Sequence, residues 1–144
     1  MKRVITWFLI VFIVVAVATK IVLLNVPQEP PLIHDGKYIV LFHTEARCVT
    51  CTKMEFLIKK VLKEQKHNDL DLLLVEYDMP KNKELVERFH VGATAIILME
   101  QANGKTFRSC DISTEAWNLI RNSNDFVEML QTKLSEFYEQ TRHQ

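Results

Sequence analysis

Two of the three cysteines of this chain stand three residues apart in "ARCVTCTKME", residues 46–55. A thiol attacks only after losing its proton, and a helix N-terminus or a nearby cation favours that loss. Cys48 follows Arg47 and precedes a helix-like run, so its pKa is expected to be lowered. Cys51, one helical turn on, is within reach of a disulfide with Cys48. The pattern predicts Cys48 as the attacking thiol, Cys51 as the resolving thiol and Arg47 as the cation that tunes them. On this reading no metal or organic cofactor is needed, because the Cys48–Cys51 disulfide is itself the redox group. Two other uses remain open. One is a structural disulfide, although so small a loop stabilises a fold little. The other is a copper or zinc site in which His43, five residues before Cys48, joins both thiolates.

Such a pair needs a strand to deliver it and a helix to begin under it. "KYIVLFHT", residues 37–44, is apolar and rich in aromatic and β-branched residues, and reads as a buried strand. From Cys48 onward, Met54, Phe56, Leu57, Ile58, Val61 and Leu62 recur at helical spacing with lysines between them. This predicts an amphipathic helix ending near "KHND". "LDLLLVEYD" is a second buried strand, and "MPKNKELVERFHV" a short helix opened by Pro80. "GATAIILMEQANGKTFRSC" predicts a hairpin with strands near 95–99 and 106–110, turning at Asn103-Gly104. "STEAWNLI" is a brief helix capped by Ser113 or Thr114. "SNDFVEMLQTKLSEFYEQ" aligns Phe126, Val127, Leu130, Leu134, Phe137 and Tyr138 on one helical face, with Ser123, Asn124 or Asp125 as caps.

Two strands joined through a helix should be parallel with a right-handed crossover, and the hairpin adds an antiparallel edge. Helices on both faces then complete an α/β layered sandwich. A CxxC that ends the first strand of such a βαβ unit is a far stronger redox signal than the same spacing alone.

The first 26 residues, "MKRVITWFLIVFIVVAVATKIVLLNV", are almost continuously apolar after Lys2 and Arg3. Roughly 20 residues of helix span a bilayer, and the basic end stays in the cytoplasm. We expect a signal anchor over 1–26, a Pro-rich spacer over 27–36 and a folded domain over 37–144. The domain would lie outside a prokaryotic plasma membrane, on a single-pass protein with a cytoplasmic N-terminus. The alternative is a signal peptide cleaved at Ala16-Val17-Ala18, which releases the domain into the same space. An extracytoplasmic pair of this kind would normally oxidise to a disulfide. The remainder after the apolar segment carries 15 basic against 18 acidic residues, a net of −3. With no basic stripe, nucleic acid is not an expected partner.

These elements and motifs resemble the thioredoxin superfamily from Lys37 to about Tyr138. The likeness rests on the CxxC and on "LLLVEYDMPKNKELVERFHVGATAIILMEQANGK". A narrower likeness joins "LFHTEARCVTCTKME", "NKELVERFHV" and "STEAWNLIRNSNDFVEMLQTKLSEFYE" to the family labelled nitrophenyl compound nitroreductase subunit. Its members are membrane-anchored thioredoxin-like proteins. The resemblance implies a thioredoxin-like three-layer sandwich after a transmembrane helix. It also implies a redox partner in the membrane, similar to the transmembrane electron carriers of cytochrome c maturation. Two departures are visible. "GATAII" lacks the proline that usually faces the disulfide, which puts Thr94 in the cis-proline position. "YIVLFHT" lacks the usual buried aspartate, for which Glu45 is a candidate substitute.

Cys110 is expected to be a buried, inert thiol near the end of the edge strand. Trp117 is expected to be a packing residue, with a partner-binding hot spot as the alternative. His34, His67, His90 and His143 show no ligand spacing, and no phosphate-binding glycine loop or Ser-His-Asp set is present. The sequence thus predicts thiol–disulfide exchange with a protein dithiol or disulfide partner, kept reduced by a membrane electron-transfer protein. The alternatives are a non-catalytic docking subunit and a copper- or zinc-handling protein.

Overall fold

The computed structural model describes residues 7, 12–15, 33–46, 48–64 and 69–140 of the 144. Strand β1 (Gly36–His43) leads to helix α1 (Val49–Glu64) and strand β2 (Leu70–Glu76). A 3-10 turn (Pro80–Asn82) and helix α2 (Lys83–Arg88) follow, then strands β3 (Ala95–Ala102) and β4 (Lys105–Asp111). Helices α3 (Ser113–Leu119) and α4 (Ser123–Glu139) complete the domain.

The four strands form one mixed sheet in the order β2-β1-β3-β4. β1 and β2 are parallel, with Lys37 opposite Leu70 and His43 opposite Glu76. β3 runs antiparallel to both β1 and β4. A parallel pair requires a long crossover, which α1 supplies, whereas the β3–β4 connection is a two-residue turn. In that turn Asn103 and Gly104 hold positive φ values of 52° and 70°. That is the geometry whose twist matches a hairpin, and Asn-Gly adopts it at least cost. The Asp35 carboxylate accepts hydrogen bonds from both of their N–H groups, at 3.0 and 3.1 Å.

The period-two alternation of the strands divides the core. Ile39, Leu41, Ile96 and Leu98 face one way, against Met54, Leu57, Ile58 and Val61 of α1 and Phe126, Leu130, Leu134 and Phe137 of α4. Val40, Phe42, Ile97 and Met99 face the other way, where α2 contributes Leu85 and Val86, with Phe89 just beyond it. The Phe42 and Phe89 rings meet edge to face, 6.2 Å apart. Helices therefore cover both faces, as expected, but unequally. Among the described residues three helices cover the first face and one short helix the second.

The helix ends differ from the sequence expectation. Neither Ser113 nor Thr114 caps α3. Ser113 is already inside the helix, and its N–H donates to the Asp111 carboxylate at 2.8 Å. The cap of α4 is Asn122, whose side chain accepts from Asn124 N–H at 3.1 Å. In both cases an acceptor at the end of the preceding segment had the better geometry for the free N–H groups. α2 ends with His90 in the left-handed region, φ 52°, and Val91 N–H bonded to the Val86 carbonyl at 2.9 Å. This closure explains His90 structurally. Phe56, grouped with the buried face of α1 from its apolar character, is 66% exposed.

Ile33 packs under the second face, and its carbonyl accepts from Gln101 Nε2 at 2.9 Å. Residues 33–35 are thus fixed beside the β3–β4 turn. The eight residues of β1 then carry the chain about 25 Å to the opposite end of the sheet. Most of the expected anchor and spacer lies outside the described residues. Trp7 and Phe12–Val15 are helical and exposed. Among the described residues no helix is long and apolar enough to cross a membrane.

Candidate redox site

β1 stops at His43, and Cys48 lies immediately before α1. The Cys48 carbonyl accepts the first helical hydrogen bond, from Thr52 N–H at 3.0 Å. Cys48 is therefore the N-cap of α1. Its sulfur accepts from the Cys51 N–H at 3.2 Å, where a capping oxygen would otherwise sit. A sulfur in that place carries negative charge at low cost, because the free N–H groups of the first turn converge on it.

The two sulfurs lie 2.7 Å apart, with the thiols in the free form. Their surroundings differ sharply. Cys48 is exposed, whereas Cys51 is 3% exposed. The Cys51 thiol lowers the pKa of Cys48 by hydrogen bonding to it, and the N–H groups of Cys51 and Thr50 add to this. Burial raises the pKa of Cys51, and the neighbouring Cys48 sulfur raises it further. The pair thus favours a single negative charge held on the outer sulfur.

The loop before β3 closes the site from the far side. Thr94 Oγ1 lies 3.3 Å from Cys51 Sγ, across 43 residues of sequence. The Thr94 carbonyl accepts a 2.9 Å hydrogen bond from Trp117 Nε1 on α3. Lys53, on the first turns of α1, donates to the carbonyls of Ile120 at 2.7 Å and Arg121 at 3.2 Å. α3 is therefore tied both to the opposite loop and to the helix that carries the cysteines. Val49, Thr52, Lys53 and Phe56 line an open groove of about 530 Å3 on the outer face of α1, next to Cys48.

Of the sequence-predicted residues, the structure brings Cys48, Cys51 and Thr94 together. Arg47 lies outside the described residues. His43 is 3% exposed, and its Nδ1 lies 2.8 Å from the Thr44 carbonyl oxygen. Among the described residues no three His, Cys, Asp or Glu side chains are gathered as a metal ion would require. Glu45 is exposed, and its backbone N–H donates to the Asp78 carboxylate. The sequence reading missed the Trp117 contact with Thr94 and the Lys53 tie. The only signal for either was an indole N–H and an ammonium group on short amphipathic segments.

No family model matches this chain, and no curated protein matches it. It is similar to several solved structures at low identity, among them these three. Trxlp from Edwardsiella tarda EIB202 is 21% identical, over 53% of this chain and 70% of that one, with a TM-score of 0.40. A malarial protein is 23% identical over 68% and 97%, with a TM-score of 0.42. Mitochondrial thioredoxin 3 from Saccharomyces cerevisiae, in its oxidised form, is 15% identical over 62% and 80%, with a TM-score of 0.41. The topology of this chain has a parallel β1–α1–β2 unit, an antiparallel β3–β4 hairpin beside it, and a CxxC at the start of α1. This is a thioredoxin-like α/β fold.

Proposed function

We propose that this protein is a membrane-anchored, extracytoplasmic thiol–disulfide exchange protein that works with a dedicated membrane redox partner. The observation that carries the exchange reading is the polarised pair: an exposed Cys48 with a lowered pKa, 2.7 Å from a buried Cys51 with a raised one. The Cys48 thiolate attacks one sulfur of a partner disulfide, and the other partner sulfur leaves as a thiolate. Cys51, once deprotonated, attacks the Cys48 sulfur and releases the partner. Two electrons pass to the partner, which ends as a dithiol after taking up two protons, and Cys48–Cys51 ends as a disulfide. A membrane electron donor would restore the dithiol by the reverse sequence.

The apolar first 26 residues, with Lys2 and Arg3 ahead of them, support the anchor. The narrower sequence likeness supports the membrane partner. The chain joins β1 at the end of the sheet opposite the pair, so an anchored domain would present its cysteines away from its attachment.

The test is a Cys51→Ser variant in the native cell, with thiols trapped by acid and alkylation. We expect a partner adduct that a reductant releases and that a second change, Cys48→Ser, abolishes. Absence of any Cys48-dependent adduct, with full cellular function in the double cysteine variant, would replace exchange with a docking role.

A further inference from the structure

We propose that the Thr94 hydroxyl serves as hydrogen-bond donor to the resolving Cys51 thiolate, and that Trp117 is the positioning residue that holds it there. This rests on the exchange reading of the cysteine pair. A threonine hydroxyl has one proton to give and two lone pairs. Toward a neutral Cys51 thiol, 3.3 Å away, either group can donate. Toward a thiolate only the hydroxyl can, and such a charge-assisted bond is about twice as strong as a neutral one. The contact therefore favours ionised Cys51. Cys51 needs that help because it is 3% exposed, so water offers its thiolate little solvation.

The timing fits the chemistry. In the free dithiol the negative charge rests on Cys48, whose sulfur opposes ionisation of Cys51. In the mixed disulfide Cys48 carries no charge. That repulsion is gone, while the Thr94 hydroxyl remains. The Cys51 thiolate then attacks Cys48 Sγ. A Cys48–Cys51 bond forms, the bond from Cys48 to the partner sulfur breaks, and the electron pair leaves with the partner thiolate, which takes a proton from solvent. The oxidant is the partner disulfide. A proline at position 94 would supply no hydroxyl.

Trp117 holds the other end of the same residue. Its indole N–H donates to the Thr94 carbonyl at 2.9 Å, so Thr94 is fixed from the α1 side and the α3 side at once. The ring is 42% exposed, more than a residue kept only for core packing. Its helix is rigidly seated. Ser113 Oγ accepts from Ile96 N–H at 3.0 Å at one end, and Lys53 donates to the Ile120 carbonyl at the other.

The experiment uses the reduced full-length protein with 13C-labelled cysteine, in a Cys48→Ala background that removes the competing sulfur. Thr94→Val should move the Cys51 titration to higher pH, and Thr94→Ser should restore it. Trp117→Phe, which keeps a ring but loses the N–H, should move it in the same direction by less. With Cys48 intact, a small aromatic disulfide supplies the mixed adduct. Thr94→Val should slow its resolution about tenfold at neutral pH, the usual worth of one hydrogen bond to a charged group. The initial attack by Cys48 should keep its rate. If Thr94→Val and Thr94→Ala both leave the titration in place, the donor role is wrong. If only Trp117→Phe leaves it in place, the positioning role is wrong. The Cys51→Ser adduct does not involve Thr94 as a donor, so its absence would sink the exchange reading separately.

Discussion

The three cysteines of this protein occupy two regions with opposite chemistry. Cys48 and Cys51 open a helix, and Cys110 lies in β4, directly across from Leu98 of β3. At the helix start several N–H groups point along the axis toward one sulfur, and the pKa of Cys48 falls. In a strand the N–H groups point sideways in the plane of the sheet, so none is aimed at a thiol on the sheet face. Cys110 packs against the main core, and burial raises its pKa. Glu115, Asp111 and Glu136 push it further up, while Lys133 works against them. The difference shows that the direction of the backbone around a cysteine, more than the residue itself, decides whether it can react.

The largest test of this contrast is Cys48→Ser, which should abolish every mixed disulfide seen by non-reducing electrophoresis and mass spectrometry. An adduct that persists through Cys110 would erase the distinction between the regions. Next comes alkylation of the reduced protein across pH. The thiolate is the reacting species, so a lowered pKa shifts the rate curve to lower pH and a raised one to higher pH. The half-maximal rate should fall at lower pH for Cys48 than for an ordinary thiol, and at higher pH for Cys110. At pH 7 Cys48 should react at least about tenfold faster. Equal rates would mean that the helix start confers nothing.

A smaller effect is expected from Cys51→Ala. It removes the largest cause of the lowered Cys48 pKa but keeps the backbone N–H of residue 51. The Cys48 curve should therefore move part of the way toward an ordinary thiol. A curve that stays in place would assign the whole effect to the helix end. The smallest effect belongs to Cys110→Ala. It should leave adduct formation unchanged and alter unfolding free energy by about 1 kcal/mol or less, as most changes outside a critical contact do.

Much of this was legible in the chain. Short apolar runs marked β1 and β2, and Asn103-Gly104 marked the hairpin turn, because both signals depend on a few adjacent residues. Helical spacing found α1 and α4, but it put Phe56 on the buried side. A periodic pattern names an apolar residue and does not say how wide a stripe the neighbours will cover. The first-turn N–H groups went to Asp111, one residue before the Ile112 cap of α3, and to Asn122, the cap of α4, for a related reason: several polar residues stood near each helix start, and only the turn geometry chose among them.

The same division runs through the site. The amino-acid sequence by itself determined that Cys48 and Cys51 meet at the end of a strand and the start of a helix. Residues three apart at a helix N-terminus have no other place to go. What the tertiary structure decided was the surroundings of that pair. Thr94, 43 residues from Cys51, reaches its sulfur only because β3 lies beside β1 in the sheet. Trp117 reaches Thr94 only because α3 packs at the end of β3, and Lys53 then ties α1 to the same short helix. These contacts depend on the register and packing of whole elements, which no local pattern of residues encodes.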